Sequence, residues 1–228
     1  MAARALSPVD AVIFDMDGTL LDSSATVPAA YAAAILELCG RRCSDDEVIA
    51  EYGAGPAAAL LGRFIGREVT ESDVDCWLRH LEARLDKIVI YPGTVAAIER
   101  LTSAGLRLGV FTGATRRAAR LQLQHSGLLE AFGAVVGSDE VAAVKPAPDG
   151  ILEACMRLDA DPTRAAYVGD AINDLRCARA ARSIPIAAAW GHLYERDIEA
   201  HLVAETPDQL VDMLLGRTAG MRPPERRH

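Results

Sequence analysis

A chain of 228 residues with 50% hydrophobic side chains suits one globular domain, or one domain carrying a smaller insert, and is too apolar to be mainly disordered. Its 32 acidic against 24 basic residues leave a net charge of -8, which argues against a dedicated nucleic-acid or anionic-membrane binder, since either needs a basic face. The five cysteines are odd in number and form no Cys-x-x-Cys pair, so a disulfide framework or zinc site is disfavoured and a reducing cytoplasm fits best.

In chain order, the apolar run AVIF ends at Asp15 and reads as a buried strand. The stretch from Asp22 to Tyr91 holds helical patterns and almost no strand-like alternation. Ser44 and Glu47 make a capping box there, and Trp77, Leu78, Leu81 and Leu85 recur at helical spacing after Thr70. That stripe, its tryptophan included, reads as core. Between two of these helical stretches lies the turn Gly53-Ala54-Gly55-Pro56, whose glycines would let backbone N–H groups approach a substrate. The punctuation YPG at Tyr91–Gly93 precedes a helix over Thr94–Ala104.

The second strand, LRLGVF, ends at Thr112. Further strands are read at GAVVGS around Val135, at RAAYVG before Asp170, and at IPIAAAW from Ile184. Thr206, Pro207 and Gln209 then open a C-terminal helix with an N-cap threonine, a proline at its first position and a T-x-x-Q box. Strands followed by helices imply an α/β protein with a parallel sheet. Asp15 and Thr112 stand 97 positions apart, whereas a plain strand–helix–strand unit needs only about 30 residues. The surplus is read as a helical domain inserted in the first crossover. The expected layout is a core of residues 1–21 and 92–216, a helical cap over 22–91, and a polar, basic tail over 217–228. No stretch approaches the roughly 18 apolar residues that span a bilayer, and no apolar leader core precedes Asp10.

The chemistry concentrates at strand ends. In FDMDGTLLDS, Asp15 and Asp17 sit two residues apart directly after an apolar run, so strand alternation lets both point to one side where the strand stops. Gly18 permits a tight turn there. Open α/β sheets bind ligands beyond the carboxyl ends of their strands. In VGDAINDL, Asp170 and Asp174 are four apart at a strand-to-helix junction and share a face. Acids so gathered repel one another unless a cation or shared proton relieves them, and hard oxygen ligands suit Mg²⁺. Lys145, before a proline-rich turn, supplies a cation. Thr112 and Gly113 end a strand with a hydroxyl and a backbone N–H to offer a phosphate oxygen.

These four pieces in this order resemble the haloacid dehalogenase superfamily of phosphatases, in particular its phosphoglycolate-phosphatase-like branch with a helical cap. The resemblance runs from Val9 to about Leu215. It implies a Rossmann-like core with helices on both faces of the sheet, and Mg²⁺-dependent hydrolysis of a small phosphorylated metabolite. It assigns the nucleophile to Asp15, the general acid/base to Asp17, phosphate contacts to Thr112 and Lys145, and metal ligation to Asp15, the Asp17 backbone carbonyl and Asp170, with Asp174 in support. Gly53, Gly55 and Gly113 are expected at the substrate.

Two positions depart from the family pattern. Gly113 stands where the family usually has Asn, and Ala181-Arg182-Ser183 replaces the glycine that usually ends the helix after Asp170. The presence of Asp17 disfavours dehalogenation, because true dehalogenases of this superfamily lack that acid. A Schiff-base lysine in the cap, as phosphonoacetaldehyde hydrolases use, would have to be Lys87. A sugar phosphomutase is the alternative reading, with Arg41, Arg42, Arg63 and Arg67 available to grip a second phosphate. A non-catalytic binding protein on the same fold is the alternative from another class.

Overall fold

The computed structural model describes residues 9–52, 57–196 and 202–216. Six strands form one sheet in the order β5-β4-β1-β6-β7-β8. They are β1 (Ala11–Phe14), β4 (Arg107–Phe111), β5 (Ala134–Val136), β6 (Ala165–Gly169), β7 (Ile184–Ala188) and β8 (Val203–Ala204). Every ladder between them is parallel. β1 is central and buried on both faces, as a parallel strand sandwiched by helices must be.

Alternation along β1 splits the core in two. Val12 and Phe14 pack with α5 (Thr94–Ser103), α6 (Arg116–His125) and α9 (Pro207–Leu214) on one face. Ala11 and Ile13 pack with α7 (Asp149–Arg157) and α8 (Ile172–Ala180) on the other. The result is the three-layer α/β/α core expected from the sequence.

Between β1 and β4 the chain makes a two-stranded antiparallel ribbon, β2 (Leu21–Asp22) with β3 (Val89–Ile90). Four helices separate its strands: α1 (Val27–Cys39), α2 (Asp45–Ile49), α3 (Ala57–Ile65) and α4 (Glu71–Glu82). They close on a cluster of their own around Ile35, Leu61, Trp77 and Leu81, which also takes in Ala118 of α6. The Ser44 cap forms as read: Ser44 and Glu47 make a reciprocal box on α2. Thr70 with Asp73 makes another on α4 that was not foreseen. Thr206 accepts from Gln209 N–H, but the Gln209 side chain takes the N–H of Glu205 rather than that of Thr206. All five cysteines are free of disulfides, and no helix among the described residues is long and apolar enough to cross a membrane.

The missing glycine after α8 leaves a trace in the backbone. Arg182 takes the left-handed conformation at φ 59°. Its N–H bonds to Arg179 O, and Ser183 N–H bonds to Ala178 O, a Schellman ending built on a side-chain-bearing residue. A left-handed non-glycine residue costs about 1–2 kcal/mol, part of which glycine returns as unfolded-chain entropy. Arg182→Gly is therefore expected to stabilise by about 1 kcal/mol, raising Tm by about 2–4 °C in a melting curve with activity unchanged.

Candidate active site

The parallel register brings the acids together. Phe14 pairs with Val110 on one side and Val168 on the other, so three strands end level. The next residues are Asp15 after β1, Thr112 just past β4 and Asp170 just past β6. Asp15, Thr112, Asp170 and Asp174 are all buried. Carboxylate oxygens of Asp15, Asp170 and Asp174 lie within 4.8 Å of one another.

Lys145 sits among them. Its Nζ is 2.5 Å from Asp15 Oδ1 and 2.8 Å from Asp174 Oδ1, over the rings of Phe111 and Tyr167 at 5.3 and 5.5 Å. Burial works against its charge, yet Asp15 and Asp174 together hold its pKa above the ordinary lysine value. Burial likewise pushes the Asp15 carboxyl well above the usual range; Lys145 opposes this and the neighbouring acids reinforce it. Asp170 is pushed up to about 6, first by burial, against the N–H of Leu193 and with the charge of Asp174.

Asp170 and Asp174 differ in what they touch. Asp174 Oδ2 accepts from Ala171 N–H at 3.0 Å, while Oδ1 faces Lys145 at 2.8 Å and the Tyr167 hydroxyl at 3.4 Å. Asp170 Oδ2 accepts from Leu193 N–H at 2.9 Å, but its Oδ1 is buried with no partner. A buried carboxylate oxygen without a donor is costly unless a cation meets it. Three acids, one with a free buried oxygen, fit a hard divalent ion of the Mg²⁺ type.

Asp17 is half-buried and stands apart from that trio. Its Oδ1 accepts from Ser23 Oγ at 2.5 Å, and burial raises its carboxyl pKa despite this bond. Gly18 turns the chain at φ 88°, and a Cβ there would stand 2.3 Å from Asp170 Oδ2. The turn and the approach of the acid both demand glycine. Thr112 Oγ1 accepts from Ala114 N–H at 3.1 Å, and its hydroxyl also reaches Asp17. A Cβ added at Gly113 would meet nothing within 4 Å, so backbone crowding does not require glycine there.

Above this floor lies a cavity of about 250 Å³, roofed by Val27, Tyr31, Leu60 and Trp77 of the inserted helices together with Tyr52. Trp77 is core, as its helical stripe suggested, and also cavity wall. Gly53 and Gly55 fall outside the described residues.

The chain matches the family model described as haloacid dehalogenase-like hydrolase over residues 12–188. It belongs to that family. The N-acetylmuramic acid 6-phosphate phosphatase of Pseudomonas aeruginosa is 30% identical, over 90% of this chain and 94% of its own. A phosphoglycolate phosphatase of Chromobacterium violaceum is 31% identical, over 92% and 98%. Among solved structures, CbbY from Rhodobacter sphaeroides in complex with phosphate superposes with a TM-score of 0.77 at 22% identity, covering 89% of this chain and 96% of that one, a likeness of fold. The chain is thus a haloacid dehalogenase-type phosphatase, as the motifs implied.

Several contacts of this phosphatase were not foreseen. The segment after β7 closes over Asp170. Trp190 Nε1 donates to Thr19 O at 2.9 Å, and a Cβ on Gly191 would stand 2.2 Å from Asp170 Cβ. His192 Nδ1 lies 3.1 Å from the Tyr91 hydroxyl and lines the cavity. Tyr167, in the middle of an apolar strand, donates to Phe111 O at 2.9 Å and backs Lys145 and Asp174. The one available signal was the Trp-Gly-His sequence directly after a strand end. A second grouping of possible ligands, Glu37, Cys76 and His80, lies on α1 and α4. There Glu37 is already engaged by Arg79 at 2.9 Å and His80 at 2.7 Å.

Proposed function

We propose that this phosphatase hydrolyses a small phosphate monoester in two displacements through an aspartyl-phosphate. The observation that carries the reading is the buried Asp15 carboxylate at the strand end, held by Lys145 and within 4.8 Å of a carboxylate oxygen of Asp170. Asp15 attacks phosphorus with a carboxylate oxygen, the ester P–O bond breaks, and the phosphoryl group is left on Asp15. Asp17 protonates the departing alkoxide. It then takes a proton from water as that water attacks phosphorus, the bond to Asp15 breaks, and inorganic phosphate leaves. A carboxyl raised by burial is suited to holding a proton until the leaving oxygen needs it. Lys145 and Thr112 receive phosphoryl oxygens, and Gly113 offers its N–H.

Asp15, the Asp17 backbone carbonyl and Asp170 are the proposed holders of Mg²⁺, with Asp174 steadying Lys145. When bound, the ion would neutralise charge on the phosphoryl oxygens and relieve repulsion between the acids. Residues 22–91 form the cap of this reading, set on residues 1–21 and 92–216, and the cap excludes water over the leaving group. The unbridged cysteines support a reducing compartment such as the cytoplasm.

The mutase alternative loses the grip it required. Arg63 pairs with Glu51, Arg67 is bidentate to Asp73 at 2.6 and 2.8 Å, and Arg41 lies over the Phe64 ring at 4.8 Å. None of these arginines, nor Arg42, lines the cavity.

Phosphate release from a generic monoester tests the reading. Activity is expected to require Mg²⁺ and to vanish with a chelator. Asp170→Ala should raise the Mg²⁺ concentration for half-activity at least tenfold, and Asp174→Ala much less, since Asp174 already spends both oxygens within the protein. Equal Mg²⁺ requirements in wild type and both variants would remove Asp170 from the metal shell.

A further inference from the structure

The wall opposite the acids limits what else a substrate can carry. Tyr31 and Trp77 stack with ring centroids 4.8 Å apart and an interplanar angle of 28°. Val27 and Leu60 extend this apolar surface. Among the described residues lining the cavity, the basic side chains are Lys145 and His192. Lys145 is already shared between two carboxylates. His192 stands at the acid floor after β7, engaged with Tyr91, and not on the helical wall. A leaving group bearing a carboxylate or second phosphate would therefore push its charge against aromatic and aliphatic side chains, with no counter-charge on the described wall to replace lost water.

We infer that the preferred substrate is a phosphomonoester of an uncharged alcohol bearing an aromatic ring, whose ring lies against the Tyr31–Trp77 surface, and that the enzyme discriminates against leaving groups that carry a second anion or a polyhydroxylated sugar ring. This rests on the phosphatase reading above. It departs from the compound for which the Chromobacterium violaceum relative is named, since phosphoglycolate carries a carboxylate.

The test compares esters of primary alcohols, so that leaving-group chemistry is held near constant: 2-phenylethyl phosphate, 2-phosphoglycolate and a hexose 6-phosphate, each as kcat/KM with the full chain and Mg²⁺. The expected result is a value for 2-phenylethyl phosphate at least tenfold above the other two. Hydrolysis with phosphoglycolate equal or better overturns the charge argument and leaves the phosphatase reading standing. A hexose phosphate equal or better overturns the ring argument in the same way. Release of phosphate from none of them, nor from a generic aryl phosphate, sinks the phosphatase reading itself. Val27→Lys provides the second arm. Val27 is the first residue of α1 and only partly buried, so a cation fits there without burial. The ratio of 2-phenylethyl phosphate to phosphoglycolate should fall at least threefold in this variant, with the melting curve as control for folding. An unchanged ratio in a folded variant means the wall does not set charge preference.

Discussion

Asp15→Asn is expected to abolish turnover and leave the fold standing. An amide oxygen is a very poor nucleophile, so a fall of at least 10⁴-fold in kcat, about 5.5 kcal/mol of barrier, is the expected size. The fold should tolerate the change for an electrostatic reason. Burial raises the Asp15 carboxyl well above its ordinary value, with Lys145 opposing and Asp174 and Asp170 adding to it. A carboxyl whose folded pKa exceeds its unfolded pKa detracts from stability at pH above the folded value, and that loss fades as pH falls through it. The amide removes this burden, while Lys145 keeps Asp174 as partner at 2.8 Å. Tm at neutral pH should hold or rise, and any gain should shrink in acid. Turnover within tenfold of wild type would remove Asp15 as the nucleophile.

Lys145→Met should damage both activity and stability. The ammonium is 14% exposed and answers two carboxylates. Taking one partner from a buried ion cluster typically costs about 3–5 kcal/mol. Some of that is recovered as Asp15 takes up a proton, so about 3 kcal/mol, or about 6–12 °C in Tm, is the expected loss at neutral pH. The pH dependence gives the cause away. Without the cation the Asp15 carboxyl rises further, so the deficit against wild type should narrow as pH is lowered and widen as it is raised. A pH-independent loss would mean that Lys145 matters through packing alone. Phosphate release should fall about 10²–10³-fold, the size found when a single preorganised donor is removed from a site of this kind.

The sequence made Asp15, Thr112 and Asp170 readable because each follows an apolar run. Asp15, Thr112 and Asp170 mark strand ends, and a parallel sheet gathers strand ends along one edge. Lys145 was recognisable from its place in the motif order, although the loop that carries it has no pattern of its own. The helices were readable where side chains cap them, at Ser44 and at Thr206. What stayed hidden depends on backbone or on dual roles. The Leu193 N–H that holds Asp170 leaves no mark in residue type, and Gly191 announces only that something passes close. Tyr167 reads as one more apolar strand residue because its hydroxyl is its sole departure from that pattern. Trp77 satisfies the helical stripe so well that its second face, on the cavity, is invisible. The two-residue strands β2, β3 and β8 are too short for any alternation to register.

The ribbon of β2 and β3 has a consequence for how such a protein can change over generations. Leu21 faces Ile90 and Asp22 faces Val89 across an antiparallel pair, and such partners have Cα atoms only about 4.5–5.5 Å apart. The chain thus departs and returns at one point, and the six-stranded sheet does not pass through the inserted helices. A gene segment of another length can be spliced between those two residues without moving β1 or β4. Chemistry and substrate choice are then inherited separately: the strand ends keep Asp15 and Asp170 in register and the core loop before α7 keeps Lys145 beside Asp15, while the exchanged segment brings a new wall.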